Sequence, residues 1–205
     1  MKRCLQSLAS NISAKGSLDN IRAQVRTKEE KEMRLYLLRH GPAGNRDNWT
    51  ADDYLRPLTQ KGERTMQAAA AGLKALDPTL DTLVTSPLVR ARQTAEIVGK
   101  AFDLEVKEQE ALSPGFGLAQ LAGLLTIFTE ATGLMLVGHD PDFSTLVGRL
   151  IIARGDAQVR MKKGACCALD LPDETPDPDH AAKQLAGSAT LLWLMTPRQL
   201  GMIAR

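Results

Sequence analysis

The chain has 205 residues, 43% of them hydrophobic and only 4% aromatic, with a net charge of +2. That length suits one domain, or one domain with an appendage, and a core filled by Leu, Val, Ile and Ala; near-neutral charge without interleaved aromatics gives no reason to expect a nucleic-acid partner. Three cysteines, Cys4, Cys166 and Cys167, do not read as a disulfide framework or as paired zinc knuckles and suit a reducing compartment, and no apolar run reaches the ~18 residues that cross a bilayer.

Residues 1–32 read as an extension. No acidic residue occurs from Met1 to Leu18, where Lys2, Arg3 and Lys15 stand among serines. This weakly resembles a transit peptide, but with one Arg and no apolar secretory core. Met33 is a second candidate start, so a dispensable extension is preferred over a targeting signal. Residues 33–205 are expected to form the functional domain in the cytoplasm, with organellar import through residues 1–32 left open.

Leu35-Tyr36-Leu37-Leu38 is a short, wholly apolar run that ends in Arg39-His40-Gly41. It predicts a strand buried on both faces, as in a parallel sheet. Ligands of open α/β sheets sit at the carboxyl ends of such strands, where Arg39 and His40 fall. Residues 42–49 form a loop by their Pro, Gly, Asn and Asp content. Thr59 is a candidate N-cap for a helix whose apolar face is Met66, Ala69, Ala70, Leu73 and Leu76, ended by Asp77-Pro78. A second strand spans residues 80–85. Ser86 and Pro87 suit a cap and first turn for a helix running to about Phe102, with Arg90 and Arg92 in its first turns.

Residues 104–106 predict a short strand and 112–115 a turn. A helix is expected over residues 118–130, stopped by Gly133. Leu134-Met135-Leu136-Val137 repeats the first design, ending in Gly138-His139-Asp140-Pro141. A helix over residues 143–152, an edge strand over 165–171, an acidic Pro-rich solvated loop over 172–180, a strand over 188–195 and a helix over 197–203 complete the chain. Strands alternating with helices predict an α/β fold, a three-layer α/β/α sandwich on a mostly parallel central sheet.

Carboxyl ends of parallel strands share one rim, so Arg39-His40, Arg90 and His139 are candidates to converge. Two guanidiniums and two imidazoles without a carboxylate cluster suit a phosphoryl group, since guanidinium matches phosphate oxygens bidentately. A neutral imidazole is also a competent nucleophile.

Four blocks carry a resemblance: Leu-Arg-His-Gly at 38–41, Arg-Pro-Leu-Thr at 56–59, Ser-Pro-Leu-Val-Arg-Ala-Arg-Gln-Thr-Ala at 86–95, and Val-Gly-His-Asp-Pro at 137–141. With Leu112-Ser113-Pro114 and Leu192-Trp193 they cover about residues 34–196, and the sequence resembles the histidine phosphatase superfamily, in particular its small SixA-type phosphohistidine phosphatases. The resemblance implies a phosphoglycerate mutase-like fold. It implies His40 as the nucleophile, Arg39 and Arg90 as the phosphoryl clamp, and a protonated His139 that stabilises charge. Arg56, Gly41 and Asp140 are implied as substrate contacts. No metal ion and no cofactor are implied. The expected partner is a phosphorylated protein, such as a histidine-phosphotransfer domain, or a small phosphate ester; no membrane is expected.

Two departures shape the substrate expectation. Mutase-type relatives carry a glutamate general acid where this chain reads Leu112-Ser113-Pro114, and Pro114 cannot donate a proton. A phosphorylated imidazole leaves more readily than an alkoxide, which favours protein-borne phosphohistidine, and the chain is too short for large cap insertions. Against this, a His-Asp pair supplies the acid in the acid-phosphatase branch, so Asp140 keeps a phosphomonoesterase alternative. A non-catalytic phosphate-binding module is the third reading. Elsewhere the bland reading is preferred: Thr59 and Ser86 as caps, Arg92 and His180 solvated, one of Cys166 and Cys167 packed inward, and Asp47, Asp52 and Asp53 solvated rather than a cation site.

Overall fold

A computed structural model describes residues 33–154, 157–172 and 180–204. The extension expected over residues 1–32 lies outside the described residues, as does most of the acidic loop expected over 172–180. The strands are β1 (Met33–Arg39), β2 (Thr82–Thr85), β3 (Val106–Glu108), β4 (Gly133–Gly138), β5 (Cys166–Leu171) and β6 (Thr190–Met195). They form one sheet in the order β3-β2-β4-β1-β5-β6. The pairs β1–β4, β4–β2 and β2–β3 are parallel; the pairs β1–β5 and β5–β6 are antiparallel. The helices are α1 (Gln60–Ala75), α2 (Val89–Phe102), α3 (Leu118–Ile127), α4 (Asp142–Ile151), α5 (Ala181–Leu185) and α6 (Pro197–Ile203).

Helices cover both faces of the sheet, which is why its central strands are continuously apolar. Leu35, Leu37, Leu134 and Leu136 pack on one side with Leu121 and Leu124 of α3 and with Phe143, Leu146 and Leu150 of α4. Tyr36, Leu38, Met135 and Val137 pack on the other with Met66, Ala69 and Leu73 of α1, Ala91, Ala95 and Val98 of α2, and Leu200 of α6. Successive strand residues point to opposite faces, so every residue of these runs meets a helix layer. Each large side chain removed from water contributes about 1.5–3 kcal/mol. Cys166 and Cys167 follow the same rule: both are buried, one in each core. That corrects the expectation that only one would pack inward.

Three further expectations change. The strand over Cys166–Leu171 is interior, because β6 covers its outer side. Gly133 does not stop a helix; it opens β4, opposite Arg34, and α3 ends earlier at Ile127. The short helix α5 had no periodic signal to announce it. Thr59 does cap α1, its hydroxyl accepting the Gly62 N–H at 3.0 Å. Arg92 is exposed and faces Glu96 and Glu108. Among the described residues no helix is long and apolar enough to cross a membrane.

The topology fixes where a ligand can sit. The helix after β1 lies on one face and the helix after β4 on the other, although β1 and β4 are neighbours. Chains that leave adjacent strand ends in opposite directions open a crevice between them. Arg39 and Gly138 are register partners at that crevice, and the His40 N–H donates to the Gly138 carbonyl at 3.0 Å.

Candidate active site

Side by side at these strand ends stand the two histidines, with ring centroids 5.3 Å apart and planes tilted by 55°. On the far side of β4, the Ser86 N–H donates to the Val137 carbonyl at 3.0 Å. This sets Ser86, His139 and His40 in one row along the rim. The two histidines border a cleft of about 480 Å³ whose lining includes Arg39, His40, Arg56, Arg90, His139 and Asp140. The structure thus brings together six of the seven residues singled out from the sequence.

The seventh, Gly41, does not line the cleft. Its N–H donates to Thr94 Oγ1 at 3.0 Å and is not open to an anion. Its carbonyl lies 2.8 Å from His40 Nδ1. A carbonyl only accepts, so Nδ1 carries the proton and Nε2 keeps its lone pair. A Cβ at Gly41 would fall 2.5 Å from Met66 Cγ, so packing under the turn accounts for the glycine.

The block at 86–95 divides its work along α2. Arg90 enters the cleft. Thr94 Oγ1 donates to the Arg90 carbonyl at 2.7 Å and accepts from Gly41. Gln93 Oε1 accepts the Leu58 N–H at 2.8 Å, tying the 42–58 loop to the helix. Ala91 and Ala95 are fully buried between α2 and the sheet.

Asp53 was expected to be solvated, and the structure corrects this. Its carboxylate accepts Arg56 Nε at 2.7 Å and lies 3.1 Å from Arg90 Nη2. Its carbonyl accepts Arg90 Nη1 at 2.8 Å. Hydrogen bonding to Arg56, then the charge of Arg90, holds the Asp53 carboxyl below the usual carboxylate range. Arg56 also donates to the Gly44 carbonyl at 2.7 Å. Asp53 thus fixes two guanidiniums at once. No spacing pattern marks it, because it opens a single 3-10 turn, Asp53–Leu55, and meets Arg90 across 37 residues.

Ser86 was expected as a helix cap, yet α2 begins at Val89 without a side-chain cap. Ser86 Oγ lies 2.8 Å from His139 Nε2 and 3.4 Å from the Leu88 nitrogen. The hydroxyl oxygen accepts the Leu88 N–H, and we assign its proton to the bond with Nε2. His139 then carries its own proton on Nδ1.

Asp140 pairs with Arg39 at 3.4 Å and accepts the Ser144 hydroxyl. Arg39 Nη1 also donates to the Met161 carbonyl at 2.6 Å, and Ser144 Oγ accepts the Met161 N–H at 3.1 Å. These bonds close a ring around Arg39.

What remains unbonded defines the chemistry. Arg39 Nε, Arg90 Nε and His139 Nδ1 are buried and have no hydrogen-bond partner among the described residues. Buried donors normally have partners, and these three belong to residues lining one cleft. Burial opposes the charge on Arg39 and Arg90, and Asp140 and Asp53 offset that. Burial pushes His40 down to about 3, with a small addition from His139, Arg90 and Arg39. Burial and then Arg90 push His139 down to about 4. Burial thus favours the neutral form of both rings in the protein alone; the expected protonated His139 belongs to the ring beside a bound phosphoryl group. Neutral His40, two guanidiniums and a free Nδ1–H form a receptor for a tetrahedral oxyanion, beside a ring nitrogen that can attack it. Among the described residues no group of three or more His, Cys, Asp or Glu side chains forms a metal site.

Comparison with known proteins agrees with this arrangement. The sequence model of the histidine phosphatase superfamily (branch 1) matches residues 35–118. An uncharacterized protein of Picosynechococcus sp. is 36% identical over 141 residues, 67% of this chain and 84% of the relative. Phosphohistidine phosphatase SixA of Escherichia coli is 26% identical over 176 residues, 83% of this chain and 98% of the relative. A structure of the protein histidine phosphatase SixA complexed with tungstate superposes with a TM-score of 0.67 at 25% identity, covering 82% of this chain and 99% of that one. An α-ribazole-5′-P phosphatase structure from Escherichia coli shares the fold, with a TM-score of 0.58 at 21% identity over 80% of this chain and 97% of that one. Sequence, topology and the two-histidine cleft agree: this chain is a phosphatase and belongs to the histidine phosphatase superfamily, with SixA-type proteins among its relatives.

Proposed function

We propose that the chain hydrolyses phosphohistidine on a protein partner through a phosphorylated His40. The observation that carries this is His40 with Nδ1 bonded to Gly41, leaving Nε2 as a lone pair in a cleft bordered by three unpartnered donors. The Nε2 lone pair attacks phosphorus, and the P–N bond to the partner's imidazole breaks. A phosphoimidazole protonated on its other nitrogen leaves as neutral imidazole, so no proton need be delivered at the breaking bond. Pro114 lining the cleft, where mutase-type relatives place an acid, is compatible with that leaving group. Water then attacks the phosphorylated His40. The P–Nε2 bond breaks, orthophosphate departs and the lone pair returns. Arg39, Arg90 and the Nδ1–H of His139 hold the equatorial oxygens, in a reaction governed by positioning and charge.

The phosphomonoesterase reading has one observation behind it, the carboxylate of Asp140 at the cleft. That carboxylate is engaged by Arg39 and Ser144, which suits a holder of Arg39 better than a proton donor. A phosphohistidine peptide and an aryl phosphate separate the readings, with Asp140→Asn alongside. The expected result is turnover of the peptide well above the ester, and similar losses on both substrates in Asp140→Asn. Loss confined to the ester would make Asp140 a general acid. Turnover of neither would make the cleft a binding module.

A pH effect follows from the depressed histidines. A group held at about 4 binds no proton between pH 5 and 7. A bound dianion stabilises the imidazolium, so His139 takes up a proton only when the cleft is filled. Ring resonances at pH 5.5 should show neutral His40 and His139 in the free protein, and protonated His139 after tungstate is added. A His139 ring already charged in the free protein would contradict this.

Ser86 is assigned as a positioning residue for His139. Ser86→Ala should lower kcat about tenfold, the worth of one hydrogen bond of ~1.4 kcal/mol, while KM changes little. The nitrogen shifts of the His139 ring should change from a single Nδ1–H tautomer to a mixture. An unchanged tautomer with lowered kcat would remove Ser86 from that role.

A further inference from the structure

Beyond the catalytic cleft lies a second concavity of about 1000 Å³. Asp140 and Pro141 line both, so the two lie side by side. Its walls are the side of α4 carrying Ser144 and Arg149, and residues 157–160. The two walls approach closely at Gly148, where a Cβ would stand 2.5 Å from the Ala157 carbonyl oxygen.

Among the described residues the charged side chains lining this groove are Arg149, Arg160 and Asp140. Arg149 and Arg160 are exposed, and among the described residues neither is paired with a carboxylate. The acid on its wall, Asp140, is already held by Arg39 and Ser144. A tetrahedral anion is the same on every phosphoprotein, so the catalytic residues alone cannot select a partner. Selection needs contacts beside the phosphoryl group, and exposed guanidiniums recognise carboxylates by paired, charge-assisted hydrogen bonds.

We propose that this groove docks an acidic segment of the phosphoprotein, adjacent to the phosphohistidine seated at His40. The inference rests on the phosphohistidine reading above. Opposite charge at the groove also speeds encounter and fixes orientation. The groove is tied to the chemistry as well. Arg160 adjoins Met161, whose carbonyl holds Arg39 and whose N–H is bonded to Ser144. A segment that grips Arg160 therefore touches the chain one residue from the support of a catalytic guanidinium.

The test uses the full-length protein and fluorescent peptides carrying a non-hydrolysable phosphohistidine analogue, flanked by Asp and Glu or by Ser and Gln. Turnover of phosphoramidate is followed in parallel, because it needs only the catalytic cleft. The acidic peptide is expected to bind at least ~10-fold tighter than the neutral one at low salt, with the advantage shrinking as ionic strength rises. Arg149→Glu/Arg160→Glu, or the milder Arg149→Gln/Arg160→Gln, should erase that advantage and leave phosphoramidate turnover within about twofold. Equal binding of the two peptides by the wild type would overturn the docking site, as would an advantage that survives in both double variants. Absence of phosphoramidate turnover in the wild type would instead overturn the phosphatase reading, while peptide binding still judges the groove.

Discussion

His40→Ala should lose turnover of phosphohistidine substrates by more than about 10⁴-fold, because the nucleophile of a covalent mechanism has no substitute. The neighbouring ring cannot take over. His139 Nε2 faces Ser86 at 2.8 Å, and its Nδ1 carries the proton and is assigned to a phosphoryl oxygen. Folding should survive, since the His40 side chain belongs to neither apolar core. Its ring makes one hydrogen bond, to the adjacent Gly41 carbonyl. Phosphoryl-analogue binding should also persist, because Arg39, Arg90 and His139 remain. Steady-state assays with anion titration check this. Residual activity within about tenfold of wild type would place the nucleophile elsewhere.

Arg90→Ala should lower kcat by about 10²–10³, the usual loss when one preorganised charge stabiliser is removed. Arg90 is 4% exposed, so its charge acts in a desolvated setting where Coulomb attraction is strong. Its removal also leaves Asp53 paired with Arg56, so the net positive charge facing phosphate falls. Arg90→Lys should recover little, because a point charge cannot use the Nε–H edge beside the cleft while bonding Asp53 through the other nitrogens. Single-turnover kinetics of both variants on phosphoramidate provide the measurement. Full activity in the lysine variant would show that charge alone suffices.

The parts of the site that were legible in the sequence are those built on buried parallel strands. Leu35–Leu38 and Leu134–Val137 are apolar without interruption because both sheet faces are covered. A pattern of that kind announces its own end, and the residues just past that end are Arg39, His40 and His139. Arg90 was legible for a similar reason, as a cation in the first turn of a helix that follows a strand.

The residues that support these were less visible. Asp53 opens a single 3-10 turn in a connection whose path is set by tertiary bonds such as Gln93 to Leu58. Ser86 looked like a cap because Ser-Pro before a helix usually is one, and only the pairing of β2 with β4 shows that its hydroxyl meets a ring 53 residues away. Protonation states were also beyond composition. His139 looks cationic among phosphate-binding residues, but burial and then the charge of Arg90 push it down to about 4. Strand position followed the same logic, since nothing local to Cys166–Leu171 reveals that Thr190–Met195 will cover its outer side.

The central claim is that a phosphoryl group passes through Nε2 of residue 40. Rapid quenching of the wild-type enzyme during turnover of a ³²P-labelled phosphohistidine peptide tests it directly. The account predicts an acid-labile, base-stable label on the fragment containing His40, formed and lost at the rate of turnover. Steady turnover with no label on the protein, or with label on any other residue, would contradict it.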